Sequence, residues 1–209
     1  MEKKNIQKDL NITKDNGDGV VDRLLVLHSG EAQESGASSN SIWSHFSELQ
    51  EPISIGEWTV GHYTISSLNS GLGTVLHEML HQMGAFDLYD VHSELPSNNW
   101  NGLGDWDIMA SGNWNDNGRT PSMPGAATLD LVGSNGILEI DTSLGNSYEI
   151  ESLSSQSLGT RVLSLETAPG ERVLISLRSD SGFDSALPGH GIIVEYQDVN
   201  NGNSEDNTV

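Results

Sequence analysis

Residues 71–90 read GLGTVLHEMLHQMGAFDLYD, and this stretch decides the fold. At about 100° per residue, Leu72, Val75, Leu76, Met79, Leu80 and Met83 line up as one apolar stripe, the mark of an amphipathic helix. The helix is expected from Leu72 to Met83, after the turn residues Asn69-Ser70-Gly71. Gly84 can take φ > 0 and end it. His77 and His81 stand four residues apart, on a face nearly opposite the stripe, with Glu78 beside them. A core histidine belongs within the stripe, so this placement favours chemistry over packing. Two His at i and i+4 can chelate zinc from one helical face, and H-E-x-x-H supplies that pair with a general base next to it. Chance gives such a pentapeptide in roughly one to two per cent of shuffled chains of this composition.

Catalytic zinc takes three protein ligands and keeps a fourth position open. With Gly84 turning the chain back, the next carboxylate is Asp87, giving H-E-x-x-H-x-x-G-x-x-D. This is the long zinc motif, with Asp where metzincins carry a third His. Asp87 is the expected third ligand, and Asp90 and Glu94 are its nearest competitors. A glutamate on a second helix downstream is disfavoured by Pro96 and the Asn-rich residues after it. In such a site zinc lowers the pKa of its bound water toward ~7 and polarises the scissile carbonyl. Glu78 would take the proton from that water and pass it to the leaving amine.

Asp105-Trp106-Asp107-Ile108-Met109-Ala110-Ser111-Gly112 is the second element. It resembles the Met-turn, in which a methionine forms an apolar floor under the zinc ligands, here Met109. GLGTVLHEMLHQMGAFDLYD followed by GDWDIMASGNW resembles the immune inhibitor A family of secreted bacterial zinc metallopeptidases. NGDGVVDRLLVLHSG, IWSHF and GFDSALPGHGIIV are similar to further segments of that family, so the likeness runs over most of residues 14–198. The resemblance implies a zincin-like fold: a twisted mixed sheet, an active-site helix and a cleft between them. It also implies an exported endopeptidase acting on proteins or peptides and made with an N-terminal prosegment. The chain departs from the family pattern at two late strands: ERVLISLRSD lacks the expected Glu-Asn-Arg, and Glu195-Tyr196 stand where Trp or His is common. At the Met-turn it lacks the Tyr that some metzincins use to stabilise the oxyanion. Tyr89 and His190 are the candidates for stabilising an oxyanion.

Composition narrows the remaining classes. The 209 residues carry 30 acidic and 9 basic side chains, a net charge of −21. Such a charge repels phosphate, so nucleic acid is not an expected partner. No apolar run approaches the ~18–20 residues of a membrane span. With no cysteine, disulfides and thiolate metal sites are excluded, and His, Asp, Glu or carbonyl oxygens must hold any metal. The first residues lack the apolar core of a signal peptide, and both ends read as cuts in a longer protein. A monomer is expected, secreted once its leader and prosegment are counted.

Outside the motif, Leu24–Leu27 reads as a buried strand, and residues 56–67 as an extended strand at a sheet edge. That edge could take up a substrate by strand addition. A short helix is expected at 125–132. Five strand-like runs follow: ILEID, SYEIESL, TRVLSLET, ERVLISLR and GIIVEYQD. The fold class is α+β, with residues 1–135 as the zincin-like catalytic core. Residues 136–209 form a β-rich continuation of that domain or the start of an accessory one. In the loop Asp15–Asp22, Asn16, Asp18 and Asp22 are candidate calcium ligands around Gly19. Lys14 replaces the first acidic ligand of a full calcium loop, and the alternative is a solvated Asx turn. His28, His45, His62 and His92 read as packed or surface residues. The function expected is a zinc-dependent endopeptidase with Glu78 as base. The alternative is a calcium-stabilised, non-catalytic binding or adhesion module that keeps a structural zinc.

Overall fold

Alternating aromatic and β-branched residues make Trp58–Ser67 a strand, and pairing along both of its sides makes it the centre of a small sheet. A computed structural model describes residues 17–91 and 102–201. They fall into two compact units, Met1–Ser70 and Gly71–Val209. Asn16, His92, Glu94 and Pro96 lie outside the described residues.

In the first unit, strands β1 (Leu25–His28), β2 (His45–Ile55) and β3 (Trp58–Ser67) form a mixed sheet in the order β1-β3-β2. β3 runs parallel to β1, with Leu25 opposite Thr64, and antiparallel to β2, with His45 opposite Ile65. The 56–67 run is therefore central, and its backbone is not free for strand addition. Among the described residues the edges belong to β1 and β2. β2 escapes the sequence reading because it is polar and holds Pro52, which a central strand would not tolerate. The ladder shifts register between Glu48 and Ile53, and the proline sits in that irregularity. β1 is shallower than expected: Val26 and Leu27 are exposed. Buried hydroxyls replace apolar packing at the end of β3. Ser44 Oγ lies 3.1 Å from Ser66 Oγ and 3.2 Å from Ser70 Oγ. Glu34 accepts the Ser70 hydroxyl at 2.8 Å and the Ser44 N–H at 3.1 Å.

In the acidic loop before β1, Asp18 Oδ1 accepts the Val20 N–H at 2.8 Å, an Asx turn. Asp22 is exposed.

The second unit opens with helix α1 (Gly71–His81), and a single turn, α2 (Asn115–Gly118), lies further along the chain. Helix α3 (Ala126–Leu131) comes next, then strands β4 (Ile137–Glu139), β5 (Val162–Ala168), β6 (Glu171–Arg178) and β7 (Gly191–Asp198). The strands form one sheet in chain order, parallel between β4 and β5 and antiparallel thereafter. Four of the five late runs are strands. SYEIESL is instead an irregular segment with one bridge, Ser152 to Leu177. Ala126 and Leu129 of α3 pack on Leu153, Val162 and Leu174 to make one core. A second core gathers Ala85, Ile108 and Met109, with Leu76, Leu80, Leu88 and Val132 against it. The chain is thus mixed α+β with two mixed sheets and few helices. None of the described helices is long and apolar enough to cross a membrane.

Candidate metal centre

Helix α1 ends at His81, two residues before the expected Met83, and Gly84 completes its cap. Gly84 has φ +94°, its N–H bonds the His81 carbonyl at 3.0 Å, and the Ala85 N–H bonds the Leu80 carbonyl at 3.1 Å. This is the paired capping pattern of a glycine-ended helix, and it turns residues 85–90 back along the helix end.

The buried face of α1 differs from the expectation. Gly73, Thr74 and His77 are its buried residues, while Leu72 and Met83, at the ends of the apolar stripe, are 43% and 45% exposed. The cause is the loop that covers the histidine face. A Cβ at Gly73 would stand 1.8 Å from the Asn113 carbonyl oxygen, so the backbones meet there with no room for a side chain. Leu76 and Leu80, in the middle of the stripe, do join the core around Met109, which is fully buried.

Both imidazoles are oriented by backbone carbonyls. His77 Nδ1 donates to Ile108 O at 2.8 Å and His81 Nδ1 donates to Ala85 O at 2.9 Å. A carbonyl can only accept, so each Nδ1 carries a proton and Nε2 faces the other way. Both Nε2 atoms face one oxygen, Asp87 Oδ1, at 3.1 Å from His77 and 3.4 Å from His81. The rings stand edge to face, 4.9 Å between centroids. Among the described residues this is the one group of three whose ligand atoms could hold a metal ion, all lying within 4.8 Å of one another. Two imidazole nitrogens and a carboxylate oxygen are a donor set suited to zinc. Asp90 is not part of that group, and none of His28, His45 or His62 belongs to one. His45 instead bonds Trp43 O at 2.8 Å and Tyr63 Oη at 3.2 Å, and His62 packs on Phe46.

The electrostatics follow from that geometry. Burial works to raise the Asp87 pKa, but the His77 and His81 hydrogen bonds and charges outweigh it and hold the carboxyl far below the usual range. For His81, burial works downward. The Asp87 hydrogen bond, the Ala85 carbonyl and the charges of Asp87 and Glu78 reverse it, so the net shift is upward. The Tyr89 phenol is pushed well above its ordinary value by burial, by the charge of Asp87, by its hydrogen bond to that carboxylate, and by Glu78. Glu78, half-buried, is thus close enough to act on both His81 and Tyr89. His190 is exposed on the approach to β7, beside Gly189, whose missing Cβ would touch the Trp106 ring.

Sequence reasoning missed the groups that hold the 105–127 loop. Asp107 is fully buried and accepts three hydrogen bonds, from the N–H groups of Met109 and Gly125 and from the Thr128 hydroxyl. Burial pushes its carboxyl up to about 6, with the Glu195 charge adding to the rise while the three donors pull it down. Glu195, one of the departures noted above, is buried and accepts the Ala126 and Ala127 N–H groups at 2.9 and 3.0 Å, capping α3. Arg178 at the end of β6 pairs with buried Asp184 at 3.0 Å and also donates to the carbonyls of Met123 and Trp106. Each also holds a segment far away in sequence, and no local motif announces it.

A sequence model of the immune inhibitor A peptidase M6 catalytic domain matches residues 4–129, more than half of the chain. The chain belongs to this family. Membership implies a zincin-like fold and places the chain among metallopeptidase catalytic domains, in a family of zinc enzymes. Among individual relatives, it is 29% identical over 116 residues to Immune inhibitor A of Bacillus thuringiensis subsp. alesti, covering 46% of this chain and 16% of that protein. It is 28% identical over 116 residues to Pre-pro-metalloprotease PrtV of Vibrio cholerae serotype O1, covering 46% of this chain and 12% of the relative. The matched region is thus a small part of each relative's length.

Proposed function

We propose that the chain is a zinc-dependent endopeptidase domain that hydrolyses peptide bonds in proteins. His77, His81 and Asp87 are its metal ligands and Glu78 is its general base. One observation carries the reading: two imidazoles whose Nδ1 protons are tied to carbonyls aim both Nε2 atoms at one carboxylate oxygen. Zinc held by these side chains supplies Lewis acidity, which polarises a peptide carbonyl and makes water acidic near neutral pH. The Ile108 and Ala85 carbonyls keep the two Nε2 lone pairs pointed inward. The Glu78 carboxylate accepts a proton from the attacking water and returns it to the nitrogen of the departing amine. Tyr89, whose phenol hydrogen-bonds Asp87, is the candidate donor for the developing oxyanion.

The β-rich residues 136–209 continue the catalytic domain in this reading. Support comes from Arg178 and Glu195, which hydrogen-bond directly to Trp106, Met123, Ala126 and Ala127. Export from the cell and synthesis with a prosegment rest on the family resemblance. Calcium at Asn16, Asp18 and Asp22 is proposed from the acidic loop that carries them.

The test is cleavage of an unfolded protein by the zinc-loaded chain, with Glu78→Ala run beside it. Turnover in the parent that vanishes in the variant, with zinc content unchanged, is the expected result. Equal turnover in both removes Glu78 as the base. Zinc retention without turnover in the parent favours a non-catalytic module.

A further inference from the structure

Two successive carbonyls of one buried turn reach one proposed ligand, His77, and the neighbour of another, Asp87. Ile108 O accepts the Nδ1–H of His77 at 2.8 Å. Met109 O accepts the N–H of Leu88, the residue after Asp87, also at 2.8 Å. Where those carbonyls point depends on the backbone of residues 107–110, and that backbone is tied down by the Asp107 side chain. Asp107 Oδ1 accepts the Met109 N–H at 2.6 Å. Asp107 Oδ2 accepts the Gly125 N–H at 2.6 Å and the Thr128 hydroxyl at 2.9 Å. The Asp107 carbonyl accepts the N–H groups of Ala110 and Gly112, both at 3.0 Å, and so closes the turn. Position 125 admits no side chain here, because a Cβ would lie 2.5 Å from Asp107 Oδ2.

We propose that Asp107 is a positioning residue for the metal centre: its carboxylate pins the 107–110 turn to the start of α3 and so aims the Ile108 and Met109 carbonyls at His77 and at the segment bearing Asp87. The inference rests on the zinc reading above. Outer groups that fix a histidine's tautomer and ring direction act on the metal through the ligand. If the Ile108 carbonyl swings away, the His77 proton is free to move to Nε2, and the ring then offers an N–H where a lone pair is needed. Asn at position 107 keeps the volume but replaces one acceptor oxygen with an NH2 group. That group faces either the Met109 N–H or the Gly125 N–H, donor against donor.

Zinc affinity of the parent, Asp107→Asn and Glu195→Gln is measured by competition with a chelator. The ring nitrogens of His77 are followed by ¹⁵N NMR in the metal-free chains at alkaline pH, where the imidazole is neutral and its tautomer can be read. Glu195→Gln is the structural comparator, since Glu195 braces the same helix without touching the turn. Asp107→Asn is expected to bind zinc about 10–100-fold more weakly and to show His77 as a mixture of tautomers. Glu195→Gln should keep parental affinity and the Nδ1–H form. Parental affinity and tautomer in folded Asp107→Asn overturn the proposal, as does equal weakening in both variants. If Asp107→Asn does not fold, Thr128→Val removes one donor and should weaken zinc binding measurably, and unchanged binding there overturns the proposal. If the parent binds no zinc, the proposed function fails, while the metal-free tautomer measurement still decides the role of Asp107.

Discussion

Each histidine of the motif commits one ring nitrogen to a carbonyl, and Glu78 is the acid–base group proposed beside the pair. Glu78→Gln keeps size and polarity but cannot take a proton. It is expected to lower kcat by about 10²–10⁴-fold with zinc affinity within a few-fold of the parent, as measured by steady-state cleavage and metal analysis. A loss of zinc in that variant would mean that Glu78 is structural. At this scale the sequence was informative where chemistry needs close spacing. His77, Glu78, His81, Gly84 and Asp87 lie within eleven residues, and the structure brings both histidines and Asp87 together. Asp107, Arg178 and Glu195 were not legible, because a lone buried carboxylate or guanidinium is defined by partners up to 72 positions away. Glu195 reads in the sequence as a departure from a family pattern, yet it caps a helix.

Gly73 inside α1 and Gly84 just past its end separate the demands of packing from those of backbone conformation. Gly73→Ala forces a Cβ into the Asn113 carbonyl and should cost at least about 2 kcal/mol by overpacking. Gly84→Ala meets nothing within 4 Å, so its cost is the strain of φ +94°, about 1 kcal/mol. Denaturant unfolding of the two variants checks the order, and a milder loss at Gly73 would contradict the close approach of loop and helix. The span and stop of α1 were readable from period and glycine. Its buried face was not, since the covering loop lies some thirty residues downstream and apolar periodicity says nothing of backbone contact. The late strands were readable where β-branched residues alternate, as in ERVLISLR and GIIVEYQD. β2 was hidden by its polar composition and Pro52. β3 was misplaced to an edge because alternation shows that a strand exists, not how many neighbours it has.

Across the whole molecule, the pH response carries the mark of Asp107. Its folded value of about 6 lies above the ordinary 3.8, so the folded state binds this proton more tightly than the unfolded chain does. Its stabilising contribution is complete below the unfolded value and is lost as pH rises through the folded one. The stability of the parent relative to Asp107→Asn should therefore shrink between about pH 4 and pH 6 and level off above. Thermal unfolding of both proteins across that range checks this, and a difference independent of pH would contradict it.

The central claim is that His77, His81 and Asp87 together make one zinc site. Calorimetric titration of zinc into the metal-free chain tests it most directly, with His77→Ala, Asp87→Ala and Asp90→Ala alongside the parent. One tight site per chain is expected, abolished or strongly weakened in His77→Ala and Asp87→Ala and kept in Asp90→Ala. Tight binding that survives in Asp87→Ala, or that disappears in Asp90→Ala, would contradict the account.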